Sequence, residues 1–282
     1  MKGKLSRLLS KTVYALLAVC FVWTVLAVLI HNFYSYDPIL LAVSVLAWLL
    51  SIVLVWLLIS KNETFFKKNS RLVTLGFLTF MGAFQIIMIF PLRYSPVFDV
   101  DALFGGAREW VTTGDFSSYH EYFGLFHNNW GGLLLLRLVF GVARLIGISD
   151  FYLVASIFNS LLSLSTMYLT GSVCEKLIGV RGRAMAYFLF TISLPFYFIA
   201  PAFYTDALTM VFPILLLRLY IAAREQTNTA KRLLAFALMG LAAGVGYGIK
   251  ATVIIMLIAV IIDAVLFWDF KKYVTLIPIS VI

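Results

Sequence analysis

Long apolar runs, separated by short polar or charged stretches, recur along the whole chain of 282 residues. Most runs have the ~20 residues that a helix needs to cross the hydrocarbon core of a bilayer, which is about 30 Å thick. The composition agrees, because 62% of the residues are hydrophobic and only 12% are charged, whereas about a quarter are charged in soluble domains. The sequence therefore predicts an all-α, polytopic transmembrane protein and excludes a soluble one.

The runs divide the chain into candidate helices, about eight or nine of which we expect to cross the membrane. They cover residues 12–30, 38–59, 72–92, 130–148, 151–173, 184–203, 207–223, 233–249, 251–268 and 274 onward. The last run reaches Ile282 after too few residues for a crossing. We therefore expect the chain to be truncated at its C-terminus.

The net charge of +9 does not indicate a nucleic-acid partner, because it is distributed among the loops between the apolar runs. Basic residues precede the first run, and no small-residue cleavage site follows it. This pattern favours an uncleaved first helix with a cytoplasmic N-terminus, in the plasma membrane, over a signal peptide. The two cysteines, Cys20 and Cys174, lie inside or beside apolar runs, so we expect neither a disulfide framework nor a thiolate metal site.

The charges of the loops predict a topology. Residues 61–71 are basic, whereas residues 93–129 contain two arginines and five carboxylates. Because basic loops stay in the cytoplasm, the acidic loop is expected to be extracytoplasmic. We divide the chain accordingly into N-terminal transmembrane helices (1–92), an extracytoplasmic loop with juxtamembrane helices (93–149) and a transmembrane core (150–282).

The segment 130–148 has two interpretations. If it crossed the membrane, the basic stretches near Arg181 and Arg232 would face outward, against the charge rule. If it lies along the outer interface, both stretches return to the cytoplasm. Arg137 and Arg144 are seven residues apart and so share one helical face, which favours an interfacial helix. An ordinary crossing helix with snorkelling arginines is the alternative.

Charges at helix ends suggest chemistry, because a charge within the hydrocarbon is costly. Asp99 and Asp101 follow the third run, and they form either a metal-binding acidic pair or part of a loop kept outside by its charge. A nucleotide-sugar site is disfavoured, since those donors are cytoplasmic. Asp206 either caps the following helix or takes part in chemistry. Lys250 either anchors a helix end or meets the phosphate of a lipid.

A metal site is a weaker prediction. His120, Glu121 and His127 have side chains that bind zinc, but their spacing matches no helical ligand pair. The sequence leaves open whether a divalent metal takes part.

Together these residues resemble the GT-C superfamily of membrane glycosyltransferases, which includes the protein O-mannosyltransferases and the bacterial aminoarabinose transferases. The stretch from Asp99 to Asp115, with Arg108 in its middle, is similar to the opening of that family's first large extracytoplasmic loop. The segment 130–148 corresponds by order to the family's juxtamembrane helix. Asp206 resembles its second acidic residue, and Lys250 its outward lysine.

The resemblance implies transfer of a sugar from a polyprenyl-phosphate donor to a glycan, lipid or protein acceptor outside the membrane, with inversion. It implies that Asp99, or secondly Asp101, is the catalytic base. Substrate-binding roles are expected for the residues that bind the donor phosphate, orient the sugar or acceptor, or support the base: Lys250, Asp206, Asn128, Asn129 and Arg108. A metal bridge between Asp206 and Asp99 is one further expectation.

Two other functions remain open from the sequence. A transporter or flippase of lipid-linked saccharide would carry polar residues along a path at the bilayer midplane, together with internal repeats. The ionisable residues instead gather at one face, with Asp263 as the main exception. A structural subunit without chemistry is the third interpretation.

Overall fold

The computed structural model describes residues 37–267 and, before them, residues 11–12, 15–16, 18–20, 22–27 and 30. Several sequence predictions therefore lie outside the described residues. They concern parts of the first apolar run, the basic start of the chain (Lys2, Lys4, Arg7), the loop 31–36, the turn with Asp269, Lys271 and Lys272, and the run from 274 onward.

From residue 37 onward the described chain is helical, which confirms the all-α prediction. Its helices are α1 (Pro38–Lys61), α2 (Glu63–Lys68), α3 (Ser70–Ile89), α4 (Phe98–Thr113), α5 (His120–Leu125), α6 (Trp130–Leu145), α7 (Phe151–Ile178), α8 (Val180–Ile192), α9 (Thr205–Thr209), α10 (Val211–Glu225), α11 (Thr229–Ile249) and α12 (Ile254–Phe267). Short 3-10 turns lie at Ser117–Tyr119, His127–Asn129, Leu194–Tyr197 and Ala251–Val253.

Within the described part of the chain, five helical segments are long and apolar enough to cross a membrane. They are Ile39–Lys61, Ser70–Ile89, Phe151–Ile178, Thr205–Glu225 and Thr229–Ile249. A shorter apolar helix covers Ala251–Val265. Multiple spans are thus supported, while the count of eight or nine crossings stays a prediction.

The predicted continuous helix over residues 184–203 is wrong. Helix α8 ends at Ile192, a 3-10 turn follows, and the chain is irregular up to Tyr204. Pro195 and Pro201 explain the break, because proline lacks the backbone N–H and clashes with the preceding helical turn. Hydropathy alone does not report this interruption.

The described chain forms two compact units, residues 1–61 and 62–282. In the first unit, α1 is apolar around its whole circumference, as expected of a helix that faces lipid. In the second unit, one core packs α4 and α6 against α7 through side chains such as Leu103, Leu136 and Phe140. A second core joins α10, α11 and α12 through residues such as Leu216 and Met239.

The helices of the second unit have two chemically different ends. At one end Lys176 of α7 pairs with Glu225 of α10 at 2.8 Å, and Arg183 of α8 hydrogen bonds to Ser70 of α3. We call this the basic end. At the opposite end α3 stops and α7 begins, and Arg93 pairs with Asp150 at 2.7 Å. We call this the site end.

At the site end, helix α6 packs against the termini of two other helices. Its first turn contacts the last turn of α11, and its last turns contact the first turn of α7, where the rings of Phe140 and Phe151 are 5.0 Å apart. Arg137 lies over the ring of Trp110, and Arg144 donates to the carbonyl of Val111, so both arginines face α4 as their spacing predicts. The interfacial placement of α6 stays a prediction.

Candidate active site

Asp99 is positioned by the start of α4. Val97 is extended, Phe98 has a φ of 52°, and the helix continues from there, with Asp99 in its first turn. A left-handed φ is strained for a residue that carries a Cβ, and such strain clusters at functional sites. The sharp entry into α4 sets the direction of the Asp99 side chain.

Two tyrosines lie near the Asp99 carboxylate, and an asparagine bonds to one of them. The hydroxyl of Tyr204 donates to Asp99 Oδ2 at 3.1 Å, and the Tyr122 hydroxyl lies near enough to Asp99 for the carboxylate to raise its pKa. Asn129, which is buried, donates from Nδ2 to the Tyr122 hydroxyl at 2.6 Å. Asn128 donates in turn to Asn129 Oδ1 at 3.2 Å. The predicted residues Asp99, Asn128 and Asn129 therefore belong to one network.

The environment keeps both tyrosines protonated. Burial is the largest cause that raises the pKa of Tyr122, and the nearby Asp99 raises it further. Burial also raises the pKa of Tyr204, to which Asp99 again contributes. Both phenols are thus neutral donors over the physiological pH range, and each can stabilise an ionised carboxylate.

A cation lies on the other side of Tyr204. Lys250 is extended between α11 and the following 3-10 turn, and its Nζ is 5.8 Å from the centre of the Tyr204 ring. The same ammonium group forms an ion pair with Asp206, whose side chain is 69% exposed. Tyr204 thus contacts both the carboxylate of Asp99 and the ammonium of Lys250. We call Asp99, Tyr122, Asn129, Tyr204, Asp206 and Lys250 the Asp99 cluster.

A glycine contact brings these segments together. A Cβ at Gly131, in the first turn of α6, would lie 1.9 Å from the carbonyl oxygen of Gly248, near the end of α11. Only glycine allows this approach. Asn129 lies two residues before Gly131, and Lys250 lies two residues after Gly248. The close contact therefore brings together the two segments that carry these residues.

A family model described as conserved hypothetical integral membrane protein matches residues 4–281. The chain belongs to this family. No curated protein matches the chain, and no solved structure does. The family places the chain in a membrane, in agreement with its apolar helices.

The second predicted carboxylate lies outside the Asp99 cluster. Asp101 accepts a hydrogen bond from the Tyr119 hydroxyl at 3.3 Å. That hydroxyl occupies the position that a side chain at Gly105 would take. Residues two positions apart in a helix point in nearly opposite directions, so Asp99 and Asp101 do not face each other.

Arg108, for which the sequence predicted a supporting role behind the catalytic carboxylates, lies outside the Asp99 cluster. It lies nine residues further along α4, about 13 Å along the helix axis, with its guanidinium 5.6 Å from the centre of the Phe104 ring. It lines a separate cleft of about 440 Å³ next to Arg93 and Asp150. In that cleft the ion pair with Arg93 lowers the pKa of Asp150.

Two further expectations change. Asp206 does not cap its helix through its side chain; it lies in the first turn of α9, after Tyr204, and pairs with Lys250 instead. His120 lies 3.5 Å from Asp115. Among the described residues, no three His, Cys, Asp or Glu side chains come together as a metal site requires.

Sequence reasoning missed the role of the two tyrosines. Tyr122 lies in the short helix α5, and Tyr204 lies just before α9. Fourteen tyrosines occur in the chain, and no spacing distinguishes these two. Only the packing of α5, α6 and α9 against α4 brings their hydroxyls to Asp99.

Proposed function

We propose that this protein is a glycosyltransferase that moves a sugar from a polyprenyl-phosphate donor to a cell-surface glycan, lipid or protein acceptor, with inversion. The observation that supports this most strongly is that Tyr204 connects a carboxylate and an ammonium at one end of the helices. Such a transfer requires a base for the acceptor hydroxyl and a cation for the phosphate leaving group.

In this proposal Asp99 is the general base. It accepts the proton of the acceptor hydroxyl while the hydroxyl oxygen attacks the anomeric carbon and the bond to the donor phosphate breaks. Tyr204 orients the carboxylate through its hydrogen bond, and the neutral phenol of Tyr122 lies close to the same carboxylate. Orientation of this kind contributes to rate because the reacting groups need no rearrangement.

Lys250 binds the phosphate of the donor. In the unliganded site the exposed Asp206 carboxylate holds its ammonium in place, and a donor phosphate competes for the same group. Once released, Asp206 is available to hydrogen bond to a sugar or acceptor hydroxyl. Asn128 and Asn129 offer amide groups for further hydroxyls nearby.

The placement of the site at the outer face is part of the proposal. The basic end carries the cationic loops that the charge rule assigns to the cytoplasm. Exposed apolar residues on α6, including Leu134, Leu138 and Val142, would face the lipid from an interfacial position. The Asp99 cluster would then meet a lipid-linked donor at the outer membrane surface.

The transport alternative is weaker because several buried polar side chains hydrogen bond to other parts of the protein. Gln85 donates to Ser163 and to the carbonyl of Phe196, and Asn159 donates to the carbonyl of Ile199. These carbonyls belong to the segment between α8 and α9. Asp263, the exception noted in the sequence, bonds to Tyr220 and Arg224.

The test is transfer of a radiolabelled sugar from polyprenyl-phosphate donors by the purified full chain. Asp99→Asn should lower turnover at least ~100-fold, since general base catalysis contributes about that much. Lys250→Ala should mainly weaken use of the donor. Asp115→Asn is the matched control, because Asp115 is an exposed carboxylate of the same loop outside the cluster.

Unchanged turnover in both Asp99→Asn and Lys250→Ala would contradict these assignments. Equal losses in Asp99→Asn and Asp115→Asn would show that loop charge matters and that Asp99 has no special role. Movement of lipid-linked saccharide between leaflets, without transfer, would favour the transporter.

A further inference from the structure

A second polar cavity lies at the basic end, remote from the Asp99 cluster. It has a volume of about 770 Å³ and is bordered by the α2–α3 corner, α7 and α8. Lys67, Lys68 and Arg71 line its polar side. We call this space the basic cavity.

The lining of the basic cavity carries an excess of positive charge, because its one carboxylate, Glu175, pairs with Arg183. Within the described part of the chain, no carboxylate oxygen lies within 4.0 Å of a side-chain nitrogen of Lys67, Lys68 or Arg71. Neighbouring cations of the same end differ, since Lys176 pairs with Glu225 and Arg181 with Glu63. Three cations within five residues therefore remain available to an anion.

Arg183 extends the cavity inward. Its guanidinium pairs with Glu175 and donates to Ser70, and its side chain is only 18% exposed. Its Nε is buried and has no hydrogen-bond acceptor among the described residues. The inner wall of the cavity is therefore polar.

Part of the lining of the cavity is apolar and exposed. Leu72, Leu75 and Tyr168 line it, with 69%, 63% and 49% of their surfaces exposed. Leu72 and Leu75 belong to α3 and Tyr168 to α7, two helices that are long and apolar enough to span the membrane. This side would contact acyl chains when the protein is in a bilayer.

We propose that the basic cavity binds one anionic phospholipid, with its phosphate between Lys67, Lys68 and Arg71 and its acyl chains along Leu72, Leu75 and Tyr168. Inorganic phosphate would use the cations but leave the apolar side uncovered. The cavity combines both features, which is the pattern of a lipid site between transmembrane helices. The proposal is independent of the glycosyltransferase assignment.

The test is retention of lipid by the purified full chain. Protein in detergent is incubated with equal amounts of phosphatidylglycerol and phosphatidylcholine, washed, and analysed by quantitative mass spectrometry. We expect preferential retention of phosphatidylglycerol. Arg71→Gln should reduce that preference about fivefold, since one cation near an anionic surface contributes about a tenfold or smaller factor in affinity.

Lys231→Gln is the matched control, because Lys231 is an exposed cation of the basic end outside the cavity. Thermal unfolding of each variant checks that it is folded. Equal retention of both lipids, or equal effects of Arg71→Gln and Lys231→Gln, would overturn the proposal. Displacement of the lipid by millimolar inorganic phosphate at constant ionic strength would also overturn it, because the acyl chains would then contribute nothing.

Discussion

Tyr204 contacts both charged groups of the candidate site. Its hydroxyl donates to Asp99 and its ring lies near the Lys250 ammonium. Tyr204→Phe removes the hydrogen bond and keeps the ring. We expect the transfer rate to fall about 10- to 100-fold, because a hydrogen bond to a charged group contributes about 1.5–3 kcal/mol. Steady-state kinetics with a saturating donor would measure this fall.

The matched control for that change is Tyr94→Phe. Tyr94 lies in the separate cleft beside Arg93, so its variant should keep turnover within about twofold, the range of a surface change. A rate that is the same in Tyr204→Phe and the parent protein would show that the hydroxyl does not orient Asp99.

Phe98 offers a second test at the scale of one residue. Its φ of 52° is unfavourable for any side chain, and 90% of its surface is exposed. Phe98→Val should lower the free energy of unfolding by about 1 kcal/mol or more, because β-branched residues tolerate a positive φ least. Phe98→Gly should not lower it. Denaturant unfolding in detergent would compare the two, and equal losses would argue against a strained backbone.

At the scale of elements, the contact between α6 and α11 sets the geometry of the site. Gly131→Ala would place a methyl group against the Gly248 carbonyl, so the two helices must separate. We expect a loss of stability of about 1–3 kcal/mol, as for other overpacked contacts. Sugar transfer should fall as well, since Asn129 and Lys250 move apart. Thermal unfolding and the transfer assay are the measurements.

Gly141 provides the control on the same helix. A Cβ there would meet no heavy atom within 4 Å, so Gly141→Ala should leave transfer unchanged and raise stability by up to about 1 kcal/mol through helix propensity. If both variants behave alike, close packing at Gly131 does not determine the site.

Element boundaries show where sequence patterns sufficed. The apolar runs predicted α1, α3, α7 and α11 to within a few residues, because a membrane-length run leaves little alternative to a helix. The run 184–203 was wrongly predicted as one helix, because its apolar composition continues past Pro195 into an irregular segment. Gln85 of α3 and Asn159 of α7 donate hydrogen bonds to carbonyls of that segment. A local hydropathy pattern cannot predict partners so far apart in the chain.

At the scale of the whole molecule, the topology can be tested directly. In a background with Cys20 and Cys174 replaced by serine, single cysteines are introduced at Ser118, Ser149 and Thr227, which are exposed. If α6 lies along the outer interface, Ser118→Cys and Ser149→Cys react with a membrane-impermeant thiol reagent added outside to intact cells. Thr227→Cys, between α10 and α11, should react only after permeabilisation.

Opposite labelling of Ser118→Cys and Ser149→Cys would mean that α6 crosses the membrane. Labelling of all three positions from outside would contradict the assignment of the basic end to the cytoplasm. Either result would also change the side on which the Asp99 cluster meets its substrates.

The sequence by itself determined the class of this protein: a helical membrane protein whose acidic and basic loops separate. The hydrocarbon core of the bilayer sets the length of each helix, and the charge rule sets which loops are basic. Both properties can therefore be predicted from the sequence. It also indicated Asp99, Asp206 and Lys250, because charges at helix ends are conspicuous in so apolar a chain. Tertiary structure alone decided that Tyr122 and Tyr204 join them, that Asp101 and Arg108 do not, and that Lys67, Lys68 and Arg71 border a cavity. These outcomes depend on contacts between residues far apart in the chain, which no local spacing encodes.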